Sequence, residues 1–239
     1  MSSVPPPGSG YPPPPPPPPQ GPPPPYGSAG PGLAWEAQAI GPESFFDTAK
    51  MFITAPDQAW KLTRETGDYM RPLLFALIIA WVGAIFNAVW STMFGAGMLR
   101  MLPAQYQRYA MMGSGRGLVA SIILAPIIIV CGLFIGSAIF HVSFMIVGAL
   151  TSSRSQFEGT FRVVSYSSIA HLAYVIPIVG GLAALAWRVY LMMLGVQELH
   201  KTTQNKAIFG ILLPILICCV CAGLGIAFAG AALFSAFNR

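Results

Sequence analysis

Charged side chains are scarce in this chain of 239 residues, and acidic ones almost disappear after residue 71. Only 9% of the residues are charged, whereas 54% are hydrophobic, a balance that gives a soluble domain too little polar surface. The sole acids beyond residue 71 are Glu158 and Glu198. Acid–base catalysis by paired carboxylates and cation-coupled transport through an intramembrane acid therefore have no support.

Several chemical signatures are also missing. There is no HExxH helix, no glycine-rich phosphate loop after a strand and no G-x-S-x-G elbow. The N-terminus lacks the basic region and short apolar stretch of a cleavable signal peptide. The four cysteines lie within apolar stretches without histidine or acid beside them, so we interpret them as packing residues: Cys131, Cys218, Cys219 and Cys221. We predict no catalytic residue, no cofactor and no metal site, and therefore no enzyme.

Long apolar runs dominate the remaining sequence. Three of them cover residues 72–94, 118–150 and 207–237, and a weaker pair covers 161–176 and 178–199. About 20 apolar residues suffice for a helix to cross the hydrocarbon core, and runs without alternation predict helices rather than strands. The sequence thus predicts an all-α polytopic membrane protein whose domain, residues 72–239, is a five-span helical bundle. The segment 161–176 is short and polar enough to be a re-entrant half-span instead.

A proline-rich tail occupies residues 1–32, which hold 16 of the 23 prolines. Such a sequence favours polyproline II and buries nothing, so we predict a disordered spacer. Pro23 to Tyr26 fits a PPxY motif, which leaves open a soluble partner that reads the tail.

Residues 33–71 predict amphipathic helices before the first span. Within 42–68, Pro42 and Pro56 suit first-turn positions of two short helices, the second of which carries Trp60 and ends near Gly67. One face of the first helix carries Phe45, Phe46, Ala49, Phe52 and Ile53. This face either lies in the membrane interface or packs on the protein's own loops.

The distribution of basic residues predicts the topology. With a cytoplasmic N-terminus, the cytoplasmic side receives Lys61, Arg64, Arg71, Arg154, Arg162, Lys201 and Lys206, and the far side receives Arg100, Arg108, Arg116 and Arg239. Seven against four favours a cytoplasmic N-terminus and an external C-terminus. We assign the basic surplus of the membrane region to topology and to lipid headgroups, and we predict no nucleic-acid partner.

Prolines and small residues within the spans predict local geometry. Pro126 and Pro214 should kink their helices, and neighbouring helices or Ser/Thr groups should satisfy the carbonyls that they free. A GxxxG at Gly132 and Gly136 favours close helix packing, within one chain or between chains. Small residues also recur four apart along the last span, at Gly223, Ala227, Ala231 and Ser235.

Three ionisable residues within the spans are candidates for function. Arg188 lies mid-span and should face the bundle, where it bonds carbonyls or tyrosine hydroxyls or else lines a solute path. His141 and His171 each follow a serine by four residues, and we expect Ser137 and Ser167 to be their hydrogen-bond partners. Neither pair has an acid to complete a catalytic triad.

Four motifs in sequence carry a family resemblance. They are TFRVVSYS at 160–167, VIPIVG at 175–180, GVQELHKTT at 195–203 and RPLLF at 71–75, with Lys206-Ala207 opening the last helix. Pro177 and the following glycines predict a tight hairpin between the third and fourth spans. In order and spacing this pattern resembles the Yip family of small membrane proteins, over roughly residues 42–237.

The resemblance implies five spans with a cytosolic N-terminus and a function in membrane traffic, including binding of Rab-type GTPases in eukaryotes. Residues 68–72 keep only the Asp and Pro of the eukaryotic Asp-Leu-Tyr-Gly-Pro motif, and the compact form resembles bacterial members, which have no Rab. No Rab-contact residue is therefore assigned.

We predict a non-enzymatic component that organises membranes or contacts other membrane proteins, in the inner membrane of a bacterium or the Golgi or ER of a eukaryote. The alternatives are a small transporter or channel-like bundle using Arg188, His141 and His171, and a scaffold that acts through the proline tail.

Overall fold

The computed structural model describes residues 32–99 and 114–237. Within these ranges lie α1 (Ala34–Ala37), α2 (Pro42–Thr54), α3 (Pro56–Leu62), α4 (Met70–Leu99), α5 (Ser114–Ile146), α6 (Gln156–Tyr166), a 3₁₀ helix (Ser167–Val175), α7 (Gly180–His200) and α8 (Gln204–Phe237). The predicted disordered tail lies outside the described residues, apart from its last position.

Within the described ranges, four helices are long and apolar enough to cross a membrane. The qualifying stretches are Met70–Phe94, Ile122–Ile146, Gly180–His200 and Gln204–Gly225, and at most a third of each one's most apolar window is buried inside the protein. Apolar helices with such exposed surfaces suit a lipid surround. The all-α polytopic class is confirmed, whereas the prediction of five spans is wrong by one.

The segment predicted as the third span, residues 161–176, is not a single long helix. Its α-helical part ends at Tyr166, and the chain continues as the 3₁₀ helix. Here Ser167 Oγ donates to Val163 O at 2.6 Å, and Ser168 Oγ donates to Val164 O at 3.3 Å. Both serines and the residues before them are buried within the protein. Polar side chains that bond the local backbone weaken regular α-helix. Residues 161–170 pack against protein rather than lipid, whereas Val175 and Ile176 are exposed.

The predicted hairpin at Pro177 is confirmed. Val179 N donates to Pro177 O at 2.7 Å, and Ile178 adopts a left-handed backbone with φ of 67°. A side chain at Gly180 would place its Cβ 2.4 Å from Ala173 O. Glycine is therefore required where α7 leaves the turn beside the 3₁₀ helix.

Both intrahelical prolines have the compensating bonds that the sequence predicted. Pro126 lacks the N–H that would bond Ile122 O, and this carbonyl accepts from Trp81 Nε1 at 3.1 Å. Pro214 similarly frees Gly210 O, which accepts from Ser143 Oγ at 2.5 Å. Each freed carbonyl is thereby bonded by a neighbouring helix, which avoids the free-energy cost of an unpaired carbonyl in lipid. The kinks themselves stay a prediction.

The small-residue motifs do not mediate packing within the described part of the chain. A Cβ added at Gly132, Gly136 or Gly223 would meet no heavy atom within 4 Å. The cysteines also face outward instead of packing. Of the two alternatives, close packing within one chain is not found at Gly132, Gly136 or Gly223, and packing between chains stays a prediction. The side chains of Ala231 and Ser235 lie outside the described residues.

The N-terminal cap, residues 33–68, folds against the bundle. Phe52 and Trp60 are fully buried, and the Phe52 ring stacks on Tyr166 with centroids 5.3 Å apart. A Cβ at Gly195 would lie 2.8 Å from Trp60 Cζ2, so α3 sits directly on α7. The apolar face of α2 therefore packs partly on its own protein, through Ala49 and Phe52, while Phe46 and Ile53 remain exposed.

The two short predicted helices are confirmed with one change of boundary, because α3 ends at Leu62 instead of near Gly67. At that end Thr63 N donates to Trp60 O at 3.1 Å, and Thr63 Oγ1 donates to Ala59 O at 2.9 Å. Helix α1 was not predicted, since its four residues are too few to show a periodic pattern.

The start of α4, the end of α5 and the start of α8 lie at the cap end of the bundle. Tyr69 contacts Phe161 with ring centroids 5.3 Å apart, and Lys206 Nζ donates to Gly148 O at 3.0 Å. The hairpin also opens at this end, where Thr160 meets His200. The hairpin starts and ends at the cap end, so the depth that it reaches does not change the side from which α8 starts. Because α8 then runs away from the cap, the cap and the end of α8 lie at opposite ends of the bundle.

Candidate functional site

A buried ion pair joins the cap to the bundle. Glu36 of α1 and Arg162 of α6 are each only 2% exposed, and Arg162 Nη1 donates to Glu36 Oε1. Arg162 also donates to Glu158 Oε1, at 2.9 Å from Nη2, and to Asp68 O at 3.0 Å. Removing a charge pair from water costs several kcal/mol per ion unless hydrogen bonds satisfy both partners. Here the arginine fork is shared among three acceptors.

The carboxylate of Glu36 is equally well satisfied. Tyr166 Oη donates to Glu36 Oε1 at 2.8 Å, and the backbone N–H of Arg64 donates to Oε2 at 2.8 Å. Burial, followed by the nearby Glu36 carboxylate, raises the pKa of Tyr166 well above its ordinary value. The phenol therefore stays protonated and remains a donor.

Reciprocal bonds at the start of α4 hold α1 in place. Trp35 Nε1 donates to Arg71 O at 2.6 Å, and Arg71 Nη1 donates to Trp35 O at 2.8 Å. Trp35 N in turn donates to Thr48 Oγ1 of α2 at 2.9 Å. A helix of four residues has little stability of its own, so these contacts and the ion pair define its position.

A second buried polar cluster centres on Thr160. Its hydroxyl lies 3.0 Å from His141 Nδ1 and 3.1 Å from His200 Nε2. The other ring nitrogen of His200 lies 2.7 Å from Ser153 Oγ, and this histidine is fully buried. The cluster ties α5, α6 and the end of α7 together. It is a chain of hydrogen bonds between two imidazoles, with no carboxylate among its hydrogen-bonded members.

The third polar site is a cavity at mid-height of the bundle, which we call the Arg188 cavity. It has a volume of about 360 Å³, and its polar lining residues are Asn87, Ser168, His171, Tyr174 and Arg188. Arg188 Nη1 lies 3.4 Å from His171 Nε2. The predicted inward orientation of Arg188 is confirmed, but its hydrogen-bond partner is a histidine instead of a carbonyl or a tyrosine hydroxyl.

The predicted serine–histidine pairs do not form. His141 bonds Thr160 instead of Ser137, whose hydroxyl has no partner among the residues that the structure describes. Ser167 bonds the backbone, and His171 bonds Arg188. Ser167 and His171 lie in the 3₁₀ helix, whose three-residue turn does not place residues four apart on one face. Both histidines bond side chains of other elements instead. His141 also lies in a different cluster from His171, so the three residues of the proposed solute path do not form one site.

Several residues of these sites were not predicted, among them Glu36, Asn87, Ser153 and Tyr174. Glu36 lies in the short stretch LAWEA, which shows no helical period, and Asn87 is one amide within a long apolar run. The sequence motifs could have located other members of these sites. The contacts at the cap end are made by residues of two motifs: Thr160, Arg162 and Tyr166 of one, and His200 of another.

A model of the Yip1 domain family matches residues 50–226, which is well over half of the chain. No curated protein and no solved structure matches it. The matched region contains the hairpin, both histidines of the Thr160 cluster, and Arg162 and Tyr166, which both donate to Glu36. By this match, and in agreement with the four motifs of the sequence, the chain belongs to the Yip1 domain family.

Proposed function

We propose that this protein is a non-enzymatic component of its membrane, which acts by contacting other membrane proteins or by organising the bilayer around it. The observation that carries the proposal is the fixed attachment of the cap to the bundle. A buried ion pair, reciprocal backbone bonds and stacked aromatic rings hold the cap against the membrane domain. A folded surface held in one orientation at the membrane is what a protein needs to present a binding face.

The exposed side of α2 is the part of the cap that we propose as this face. Phe46 is 67% exposed and Ile53 is 49% exposed, whereas Phe52 between them is buried. Lys50 is exposed on the same side of the helix. Exposed aromatic side chains are typical of protein interfaces, and apolar side chains beside a lysine are typical of helices at the lipid surface.

Photo-crosslinking in native membranes tests this proposal. A crosslinking amino acid replaces Phe46 in one variant and Asp57, which is exposed on α3, in a matched control. We expect discrete protein adducts from Phe46 that are absent from Asp57. Lipid adducts from Phe46 alone would favour interfacial anchoring, and equal labelling from both positions would contradict a specific face.

The partner and compartment depend on the host. In a eukaryote we propose a Rab-type GTPase as a partner and the Golgi or ER as the membrane, and in a bacterium the inner membrane and no Rab. Capture of the GTPase in one nucleotide state but not the other would support the first assignment. Equal capture in both states would argue against a regulated complex.

We further propose that the cap and the N-terminus are cytoplasmic, with the C-terminus across the membrane. The basic residues favour this orientation, and the cap lies at the opposite end of the bundle from the end of α8. A reporter placed at Gln204 should be cytoplasmic and one fused after Arg239 external. Reporters on the same side would remove α8 as a crossing helix.

A small transporter remains the second candidate, and the Arg188 cavity is the observation that favours it. A polar cavity at mid-height with a charged side chain is typical of a substrate pathway. Purified protein in liposomes should then move solute across the bilayer, and Arg188→Gln should stop that movement. Absence of flux for a broad panel of anions would argue against this candidate.

A further inference from the structure

Arg188 carries a positive charge into the bundle without a described counter-charge. Among the described arginines, Arg71 and Arg162 each have a carboxylate within 4 Å. For Arg188 the described residues supply one contact, the 3.4 Å approach of its Nη1 to His171 Nε2. A guanidinium has five N–H donors, so most of its donors remain available.

The protonation of His171 follows from that contact. Because a guanidinium can only donate, His171 Nε2 must accept, and a ring that accepts through one nitrogen is neutral. His171 therefore orients the arginine and does not neutralise it. A charge in this position is unfavourable even on the insertion scales that give the smallest penalties.

The cavity beside Arg188 has the size and composition of a binding site. Its volume of about 360 Å³ falls within the range of small-molecule pockets. The remaining walls are formed by α4 and α5 residues with apolar or no side chains: Ala80, Ala84, Ile129, Gly132 and Leu133. Asn87, Ser168 and Tyr174 add polar groups to the wall around the cation. One positive charge, neutral polar groups and apolar walls together suit an anionic group attached to an apolar body.

We propose that the Arg188 cavity binds a phosphate or carboxylate group through the Arg188 guanidinium. A planar guanidinium pairs with either anion through two parallel hydrogen bonds, and the anion supplies the counter-charge that the described protein lacks. The source of the anion is a phospholipid headgroup, whose acyl chains would continue along the apolar walls, or a free small anion. This site is separate from the α2 face, so it stands or falls independently of the proposed binding face, although it uses the same cavity as the transporter candidate.

Two glycines on α5 provide a matched pair of variants. A Cβ added at Gly132 or at Gly136 would meet no heavy atom within 4 Å, so both positions accept a larger side chain without a clash at that atom. Gly132 lines the cavity, whereas Gly136, one turn further along the same helix, is not among its lining residues. Gly132→Leu should fill the cavity while leaving Arg188 in place, and Gly136→Leu is its control.

The experiment uses the full chain, purified in detergent and freed of native lipid. Three probes are titrated while thermal unfolding and native mass spectra are recorded: dioctanoyl phosphatidic acid, inorganic phosphate alone, and dioctanoylglycerol, which lacks the phosphate. We expect dioctanoyl phosphatidic acid to bind the wild type and to raise its unfolding temperature. Arg188→Gln and Gly132→Leu should each weaken this binding at least about tenfold, and Gly136→Leu should leave it within about twofold.

The source of the anion follows from comparing probes on the wild type. Binding of dioctanoyl phosphatidic acid without binding of inorganic phosphate supports a lipid headgroup, and equal binding of inorganic phosphate supports a free anion. Equal binding of dioctanoylglycerol would overturn the proposal, as would no binding of either phosphate probe. Wild-type affinity in Gly132→Leu would also overturn it, and this variant decides the matter if Arg188→Gln does not fold.

Discussion

Arg162 and Arg188 are both drawn into the bundle, yet they have opposite surroundings. Arg162 at the cap end is 2% exposed and is shared by Glu36, Glu158 and a backbone carbonyl. Arg188 at mid-height has a neutral histidine at 3.4 Å and a cavity at its side. The same charge is therefore hydrogen-bonded to several acceptors in one place, at Arg162, and lies beside a cavity in the other, at Arg188.

The contrast separates a structural charge from an available one. A buried charge whose donors are all used can do little except hold its elements together, and removing one partner leaves the other unpaired. A charge with unused donors next to a cavity contributes less to folding and remains free to bind. The following predictions test whether the two arginines differ in this way, and they are ordered by expected effect.

The largest effect is expected from Arg162→Leu. It leaves the buried Glu36 carboxylate facing an apolar side chain, and breaking a buried pair in this way costs about 3–5 kcal/mol. Denaturant unfolding in detergent micelles, followed by circular dichroism, measures the loss. Arg154→Leu, at an exposed loop position, is the control and should change stability by less than about 0.5 kcal/mol. Similar stability of the two variants would contradict a structural role for Arg162.

A smaller loss is expected when the cap side of the same pair is changed. Glu36→Gln keeps the shape but removes the charged acceptor for Arg162 and Tyr166, and a hydrogen bond to a charged group contributes about 1.5–3 kcal/mol. Arg162 retains Glu158, so the bundle should remain folded while the cap detaches more often. The rate of tryptic cleavage at Lys61 and Arg64 should rise. Glu43→Gln, exposed on α2, should leave that rate unchanged.

Arg188→Leu should have a still smaller effect on stability, about 1 kcal/mol or less. It strands one acceptor, His171 Nε2, which costs about 1–3 kcal/mol, but it also removes a desolvated charge, and the two effects oppose each other. Arg188→Glu should be worse, because a carboxylate would then face the histidine acceptor. Thermal unfolding of both variants in detergent gives the order. A loss for Arg188→Leu as large as that for Arg162→Leu would remove the distinction between the two arginines.

No measurable effect is expected from deleting residues 1–32, since their composition offers no core residues. Deleting residues 1–38 should be destabilising, because it also removes Leu33, Trp35 and Glu36, all of which are buried. Membrane insertion and helical content of the two truncated forms, compared in parallel, test this boundary. A loss of folded protein in the shorter deletion would show that the tail contributes to the fold.

The sequence predicted what depends on local pattern. Apolar length gave the membrane helices, Pro177 gave the hairpin, and the loss of an N–H at Pro126 and Pro214 predicted bonds that Trp81 and Ser143 indeed provide. The family resemblance also located the residues of the cap end, although not their roles. Each of these inferences needs only the residue and its neighbours along the chain.

What the sequence did not predict depends on contacts between distant segments. The pairing of Glu36 with Arg162 joins residues 126 positions apart, and neither position reveals the other. Residues 161–176 were interpreted as a weak span because a hydropathy profile does not distinguish apolar residues buried in protein from apolar residues exposed to lipid. Likewise, His141 bonds Thr160 and His171 bonds Arg188, both on other elements, instead of the serines four residues before them.

The long separation of Glu36 and Arg162 also sets an order of events during synthesis. Glu36 leaves the ribosome 126 residues before its partner, which at about 5–20 residues per second is a delay of roughly 6–25 s. During this time α4 and α5 are made and inserted while the cap segment waits in water without the surface on which it folds. The cap can close only after Tyr166 has been synthesised, so a folded cap indicates that the membrane domain has been made at least as far as Tyr166.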